Sequence, residues 1–124
     1  MDKIIFVGLG GAVGAMLRYL ISLVPIRQGF PFLTLITNLL GALLIGFIVG
    51  FADARSVSDK MTAFLKTGVC GGFTTFSTFS LEAVNLLENE KILLSIVYII
   101  ASVSLCLVGV VAGKIMAQKA FAGT

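Results

Sequence analysis

Long uninterrupted apolar runs are the feature that most constrains this chain. Three such runs extend from Lys3 to about Val24, from Phe32 to Ala52 and from Ile92 to Gly113. After Lys3 the first run contains one charged residue, Arg18, and the other two contain none. A helix of about 20 apolar residues crosses the hydrocarbon core of a bilayer. Only 12% of the residues are charged, whereas a soluble domain has about a quarter. The sequence therefore predicts an all-α membrane protein.

A fourth membrane span is expected between these runs, but its composition is unusual. It begins near Asp59 and is most polar in its middle, from Gly71 to Ser80, where paired glycines precede five hydroxyl residues and three phenylalanines. Glycine is costly inside a helix, and Ser and Thr compete for backbone hydrogen bonds. We therefore predict a single four-helix transmembrane domain over residues 1–124, with the third helix broken in mid-membrane.

The predicted break offers two kinds of ion ligand. Freed carbonyls of Gly71 to Thr74 suit a cation, while freed N–H groups and hydroxyls suit an anion, unless the hydroxyls bond back to their own helix. Phe73, Phe76 and Phe79 share one face if the helix resumes here. Such a stripe is either packing or a row of ring edges, whose partial positive charge attracts an anion weakly enough for release.

Other spans contribute uncharged polar residues and two cations. Asn38 is the strongest single candidate, because it is either an ion ligand or a contact between helices. It shares a face of the second span with Thr34, Thr37 and Gly41, and a face of the fourth span carries Ser95, Tyr98 and Ser102. Arg18 and Lys66 each have two interpretations, which are snorkelling to the headgroups and lining a vestibule that attracts anions. Small residues four apart, such as Gly10 with Gly14 and Gly109 with Gly113, predict close helix packing.

The composition excludes several classes of function. The chain has no His, and its two thiols, Cys70 and Cys106, lie in apolar runs, so the usual zinc, haem and iron–sulfur ligand sets are absent. Without His and with few acids, no nucleophile–base pair is expected, so we predict that the protein is not an enzyme. Its nine basic residues are scattered singly. That pattern favours membrane ends over a nucleic-acid partner.

Three motifs resemble those of the Fluc/CrcB family of bacterial fluoride channels. They occur in the family's order, and the resemblance in length and span count covers essentially the whole chain. The third motif is the most specific. The motifs are Gly10–Tyr19 (GGAVGAMLRY), Thr37–Gly41 (TNLLG) and Gly68–Ser80 (GVCGGFTTFSTFS).

The resemblance implies a fold, a function and a set of site residues. The subunit would pair with a second copy in antiparallel orientation, within the lipid of the bacterial cytoplasmic (inner) membrane, and export fluoride passively through two pores. A structural sodium ion would be held by the backbone carbonyls of Gly71 and Thr74 from both subunits. Arg18 would lie in a vestibule. The implied pore residues are Asn38, Phe76, Phe79, Ser77, Thr78, Tyr98 and Ser102.

A small four-helix multidrug exporter that is driven by protons is the main alternative. Such proteins have a similar length and use a carboxylate in the first membrane helix to exchange protons for cationic drugs. The first span of this chain, from Ile4 to Val24, contains no acid, and Glu82 lies on the third span. A purely structural membrane subunit is a third possibility, and the polar break argues against it.

The distribution of basic residues predicts dual topology. The termini side carries Lys3, Arg55, Lys60, Lys114 and Lys119, and the opposite side carries Arg27 and Lys91 with Arg18 nearby. The effective bias is small, because Lys114 is close to the end of the last helix. A weak bias allows one sequence to insert in both orientations, as an antiparallel homodimer requires.

Overall fold

Every element in the described part of the chain is helical. The computed structural model describes residues 1–26 and 29–123, and it contains no strand in these ranges. The elements are α1 (Asp2–Ser22), α2 (Phe32–Ala54), α3 (Asp59–Thr62), a π-helix (Ala63–Cys70), α4 (Gly71–Phe73), α5 (Phe76–Glu88) and α6 (Ile92–Phe121). The all-α prediction is confirmed.

Three of these helices, α1, α2 and α6, are long and apolar enough to cross a membrane. The segments from α3 to α5 are individually short and together form what we call the third span, residues 59–88. Large apolar side chains such as Leu20, Leu93 and Leu107 are exposed along the outer faces of the long helices. Exposed apolar surface of this extent is typical of a helix that faces lipid or another chain.

The helices pack as two parallel pairs, α1 with the third span and α2 with α6, and glycines lie at the contacts of both pairs. In the pair of α1 with the third span, a Cβ atom at Gly14 would overlap the carbonyl oxygen of Val69 and lie 2.7 Å from the backbone nitrogen of Phe73. In the pair of α2 with α6, a Cβ atom at Gly113 would overlap the carbonyl oxygen of Leu43. The prediction that small residues permit close backbone packing is therefore confirmed at these positions.

The last helix continues beyond the expected boundary at Gly113 and ends at Phe121. Phe121 packs against α2, with ring centroids 6.2 Å from Phe47 and 4.9 Å from Phe51. The guanidinium of Arg55 lies 5.5 Å from the centre of the Phe121 ring. A helix of 30 residues is about 45 Å long and exceeds a hydrocarbon core of about 30 Å. One end of α6 therefore extends past the bilayer core.

The start of the third span is tied to the start of α1. Ser58 caps α3 by accepting a hydrogen bond from the backbone nitrogen of Met61 at 3.3 Å. Two exposed ion pairs cross between the segments, from Lys3 to Asp59 at 2.8 Å and from Lys60 to Asp2 at 2.9 Å. These contacts place both elements at the same end of the bundle. Arg27, which the charge count assigns to the other end, lies outside the described residues.

Candidate functional site

The third span is broken at two adjacent threonines. Helix α4 ends at Phe73, and Thr74 (φ −80°, ψ 156°) and Thr75 (φ −148°, ψ 112°) are extended before α5 begins at Phe76. β-Branched side chains favour extended backbone over helix, and the residues before the break are the paired glycines. The predicted break is confirmed, and it is confined to two residues.

Asn38 bonds to both backbone groups of the second threonine. Its Oδ1 accepts a hydrogen bond from the Thr75 nitrogen at 2.8 Å, and its Nδ2 donates to the Thr75 carbonyl oxygen at 3.1 Å. Backbone groups freed by a break at membrane depth need such partners, because lipid offers none. Asn38 is therefore a contact between helices, and its position at the break is compatible with ion binding as well.

Arg18 reaches the same break from α1. Its Nε donates to the carbonyl oxygen of Gly72 at 3.2 Å, and the side chain is partly buried. The carbonyl of Cys70 accepts from the nitrogen of Thr74 at 3.0 Å and from its hydroxyl at 2.8 Å. Within residues 1–26 and 29–123, no hydrogen bond reaches the carbonyl oxygens of Gly71 and Thr74. These are the two carbonyls that the family resemblance assigns to sodium.

Hydroxyl groups cluster at the N-terminus of α5. The Thr75 hydroxyl accepts from the backbone nitrogen of Thr78 at 3.1 Å and donates to the Thr78 hydroxyl at 3.0 Å. The Ser77 hydroxyl lies 3.3 Å from the Thr75 hydroxyl. The N-terminal end of a helix carries partial positive charge. The cluster therefore offers neutral donors in a region that favours anions.

The two phenylalanines after the break form an aromatic row with a tyrosine of α6. Ring centroids are 5.4 Å apart for Phe76 and Phe79 and 5.1 Å apart for Phe79 and Tyr98. Phe79 is buried, whereas Phe76 is 77% exposed in the single chain. Phe73 lies before the break and is buried near Gly41. It does not continue the stripe, because the two extended threonines separate it from α5.

A partly buried polar triad lies next to this aromatic row. The carboxylate of Glu82 accepts hydrogen bonds from the hydroxyl of Thr34 at 2.8 Å and from that of Tyr98 at 2.7 Å. Glu82 is not among the site residues predicted from the sequence, where it serves only as an argument against an exporter. The sequence does contain a signal for Glu82, because an ionisable residue inside a membrane span is by itself a candidate functional residue.

The α6 face predicted from Ser95, Tyr98 and Ser102 is confirmed as a buried face. All three side chains are buried, and the Ser95 hydroxyl donates to the carbonyl of Ala83 at 2.8 Å. The Ser102 hydroxyl is buried without a hydrogen-bond partner in the described part of the chain. A buried unpaired hydroxyl is unfavourable and identifies a place where a ligand or a second chain can supply the partner.

Two cavities meet at the break. One is a largely apolar groove of about 660 Å³, and the other is a smaller cavity of about 340 Å³. Thr75 lines both of them. Among the predicted site residues, the groove contains Asn38, Gly71, Thr74, Phe76, Phe79 and Ser102, and the smaller cavity contains Arg18 and Thr78. Ser77 and Tyr98 line neither cavity, so the structure does not bring all the predicted site residues into one cavity.

These features define a class, a multi-pass helical membrane protein in which the third helical segment breaks at Thr74 and Thr75 and polar side chains gather around the break. Comparison with known proteins gives the family. Residues 5–114 match the family model described as CrcB-like protein, Camphor Resistance (CrcB). The chain belongs to the CrcB family, and the resemblance in its three motifs is confirmed.

The chain is similar to several curated proteins over nearly its full length. It is 49% identical to a protein of Clostridium perfringens, with 94% of each chain covered. It is 46% identical to one of Ruminiclostridium cellulolyticum, with 95% of this chain and 94% of the relative covered. For a relative in Flavobacterium psychrophilum the identity is 42%, with 96% and 99% covered. All three relatives are named fluoride-specific ion channel FluC, which describes a channel rather than an enzyme.

Proposed function

We propose that this protein is a fluoride-selective channel that lets fluoride leave the cell passively across the bacterial cytoplasmic membrane. The observation that carries the proposal is the break at Thr74 and Thr75, where neutral hydrogen-bond donors and aromatic rings line the groove and Arg18 bonds to the nearby Gly72 carbonyl. The names of the full-length relatives support the same ion.

The chemistry of the site suits a small, strongly hydrated anion. Such an ion enters a dry passage only when donors replace its water, and it leaves only when no single donor holds it tightly. The amide of Asn38 and the unpaired hydroxyl of Ser102 are neutral donors that border the groove. The edges of Phe76 and Phe79 add partial positive charge without a formal cation. Chloride is larger and less strongly hydrated, so it gains less from this arrangement.

The incomplete groove supports an antiparallel homodimer with two pores. Phe76 is largely exposed in the single chain, and the groove beside it is open along one side and apolar. Burying such a surface against a second copy supplies the missing wall. The antiparallel orientation follows from the family resemblance and from the weak charge bias between the two ends of the chain.

A central sodium ion fits the donor set that the break presents. The carbonyl oxygens of Gly71 and Thr74 have no hydrogen-bond donor in the described ranges, and both residues line the groove. Carbonyl oxygens are ligands that hard cations accept. One chain offers only this pair, so a second copy would be needed to complete the coordination. The role of the ion would be structural, because it would offset the exposed backbone of two breaks.

Fluoride efflux from proteoliposomes tests the proposal. Purified protein would be reconstituted, a potassium gradient clamped with valinomycin, and the released fluoride measured with a selective electrode. We expect rapid fluoride efflux, slow chloride efflux and no dependence on a proton gradient. Equal efflux of the two halides would refute selectivity. Efflux that requires a proton gradient would favour the exporter alternative, in which Glu82 is the only carboxylate well inside a span.

A further inference from the structure

Lys66 is a cation inside the third span for which the proposed pore has no role. It belongs to the π-helix, is exposed in the single chain, and lines the groove that contains the break. Its side chain forms no hydrogen bond or ion pair within residues 1–26 and 29–123. By contrast, Lys3 and Lys60, at the end of the bundle where the third span begins, form ion pairs with Asp59 and Asp2. A charged side chain at this depth is costly unless water or an anion accompanies it.

The location of Lys66 is complementary to that of Arg18. Lys66 precedes the break in a span that starts at the termini side, and Arg18 lies near the opposite end of α1. Lys66 lines the groove and Arg18 lines the smaller cavity, and Thr75 borders both. Each of the two cavities that meet at the break therefore contains one cation, Lys66 in the groove and Arg18 in the smaller cavity.

We propose that Lys66 forms an anion-recruitment site at the termini end of the groove, which takes small monovalent inorganic anions and fluoride in particular. This inference rests on the proposed function and adds to it a residue outside the family motifs. A positive charge in a cleft with apolar walls raises the local concentration of anions by focusing the electric field. The neutral donors beyond it, such as Ser102, then receive an ion that Lys66 has brought to them.

The type of cation suits recruitment more than tight binding. The ammonium of lysine is a strongly hydrated point charge on a flexible stem, whereas arginine binds through a rigid fork of donors. Lys66 also lies in a π-helix, a rare geometry that is frequent at functional sites. The competing explanation is a lysine that only extends toward the headgroups, and the two explanations differ in their dependence on fluoride and on salt.

Charge variants at this position test the proposal. Fluoride flux of Lys66→Gln, Lys66→Arg and Lys66→Glu would be measured in proteoliposomes over a range of fluoride concentrations, with impermeant salt at low and high ionic strength. Lys119→Gln is the matched control, because it removes the same charge from an exposed position at the end of α6. Gel filtration would report assembly for each variant.

We expect Lys66→Gln to lower flux at subsaturating fluoride and low ionic strength by roughly threefold to tenfold, since focusing by a charged cleft is worth at least that much. Lys66→Glu should lower it further, and Lys66→Arg should retain most of it. The differences should shrink at high ionic strength, where the Debye length falls to about 3 Å at 1 M. Flux at saturating fluoride should change little.

Three results would overturn the inference. One is flux of Lys66→Gln equal to that of Lys119→Gln under dilute conditions. Another is a loss that is the same at all fluoride and salt concentrations, and the third is a loss that follows dissociation of the dimer. In each case the wild-type chain still conducts fluoride, so the proposed function stands. If the wild-type chain passes no fluoride, both the proposed function and this inference are wrong.

Discussion

The side-chain amide of Asn38 on α2 pairs with the backbone of Thr75 at the break in the third span, accepting from its nitrogen at 2.8 Å and donating to its carbonyl at 3.1 Å. The amide thus replaces two hydrogen bonds that a continuous helix would have made. One polar side chain from a neighbouring helix therefore makes the interruption tolerable in lipid. The same residue borders the groove, so the stability of the break and the chemistry of the groove are coupled.

Asn38→Asp is expected to reduce fluoride flux at least about tenfold. The carboxylate cannot donate to the Thr75 carbonyl, and leaving a buried acceptor unpaired costs about 1–3 kcal/mol. Its negative charge also repels the permeant anion in a site of low dielectric constant. Flux and gel-filtration position would be compared with those of Asn89→Asp, which adds the same charge in the turn after α5. Normal flux in Asn38→Asp would show that the amide is neither a donor to the ion nor essential to the break.

Phe76→Ile and Phe79→Ile should each lower fluoride flux by much more than they weaken assembly. Isoleucine keeps apolar bulk but removes the ring edge that we expect to face the anion. Phe79 is buried, so its replacement by the smaller isoleucine also carries a packing cost of about 0.5–3 kcal/mol. Phe51→Ile is the control, because Phe51 packs against Phe121 far along α2. Unchanged flux in both variants would show that the two rings only pack against their neighbours and do not contact the anion.

Replacement of sodium by N-methylglucamine during purification should reduce both flux and dimer stability. The carbonyls of Gly71 and Thr74 would then face each other without a cation between them. Gly71→Ala provides a second readout, because a Cβ atom there meets nothing within 4 Å in the single chain. We expect this variant to fold and to keep its sodium dependence, because the backbone carbonyl of residue 71 is retained. Flux and assembly that are indifferent to sodium in the wild-type chain would contradict the sodium site.

Tyr98→Phe and Thr34→Val should each destabilise the folded protein by about 0.5–1.5 kcal/mol, because each removes a hydrogen bond to the partly buried carboxylate of Glu82. Their effects should be non-additive, since both donors bind the single carboxylate of Glu82. Unfolding in detergent with increasing denaturant would measure the two single variants and the double variant. Strict additivity would mean that Glu82 does not couple the two hydroxyls.

Reporters fused to the C-terminus should show both orientations in comparable amounts. The two ends of the bundle differ little in effective positive charge, and the positive-inside rule acts on that difference. Adding two or three lysines to the turn from Pro25 to Pro31 should shift the population to one orientation and depress flux, because one partner of the dimer becomes scarce. Uniform orientation in a fully active wild-type protein would contradict the antiparallel pair.

The sequence alone was enough to determine the spans and the region of the break. Apolar length and periodicity depend on neighbouring residues, so the helices from Asp2, Phe32 and Ile92 are visible without a structure. The paired glycines and the threonine pair likewise indicated where a helix fails. The family motifs added a set of expected site residues, and the match over residues 5–114 shows the family itself.

The tertiary structure decided the partners of these residues. The pairing of Asn38 with Thr75, the approach of Arg18 to Gly72 and the triad around Glu82 join positions that are distant in the chain. The extension of α6 to Phe121 likewise depends on ring contacts with α2. Hydropathy and local propensity describe a residue and its neighbours along the chain. They carry no information on which polar group from another helix will satisfy a backbone that lipid leaves unpaired.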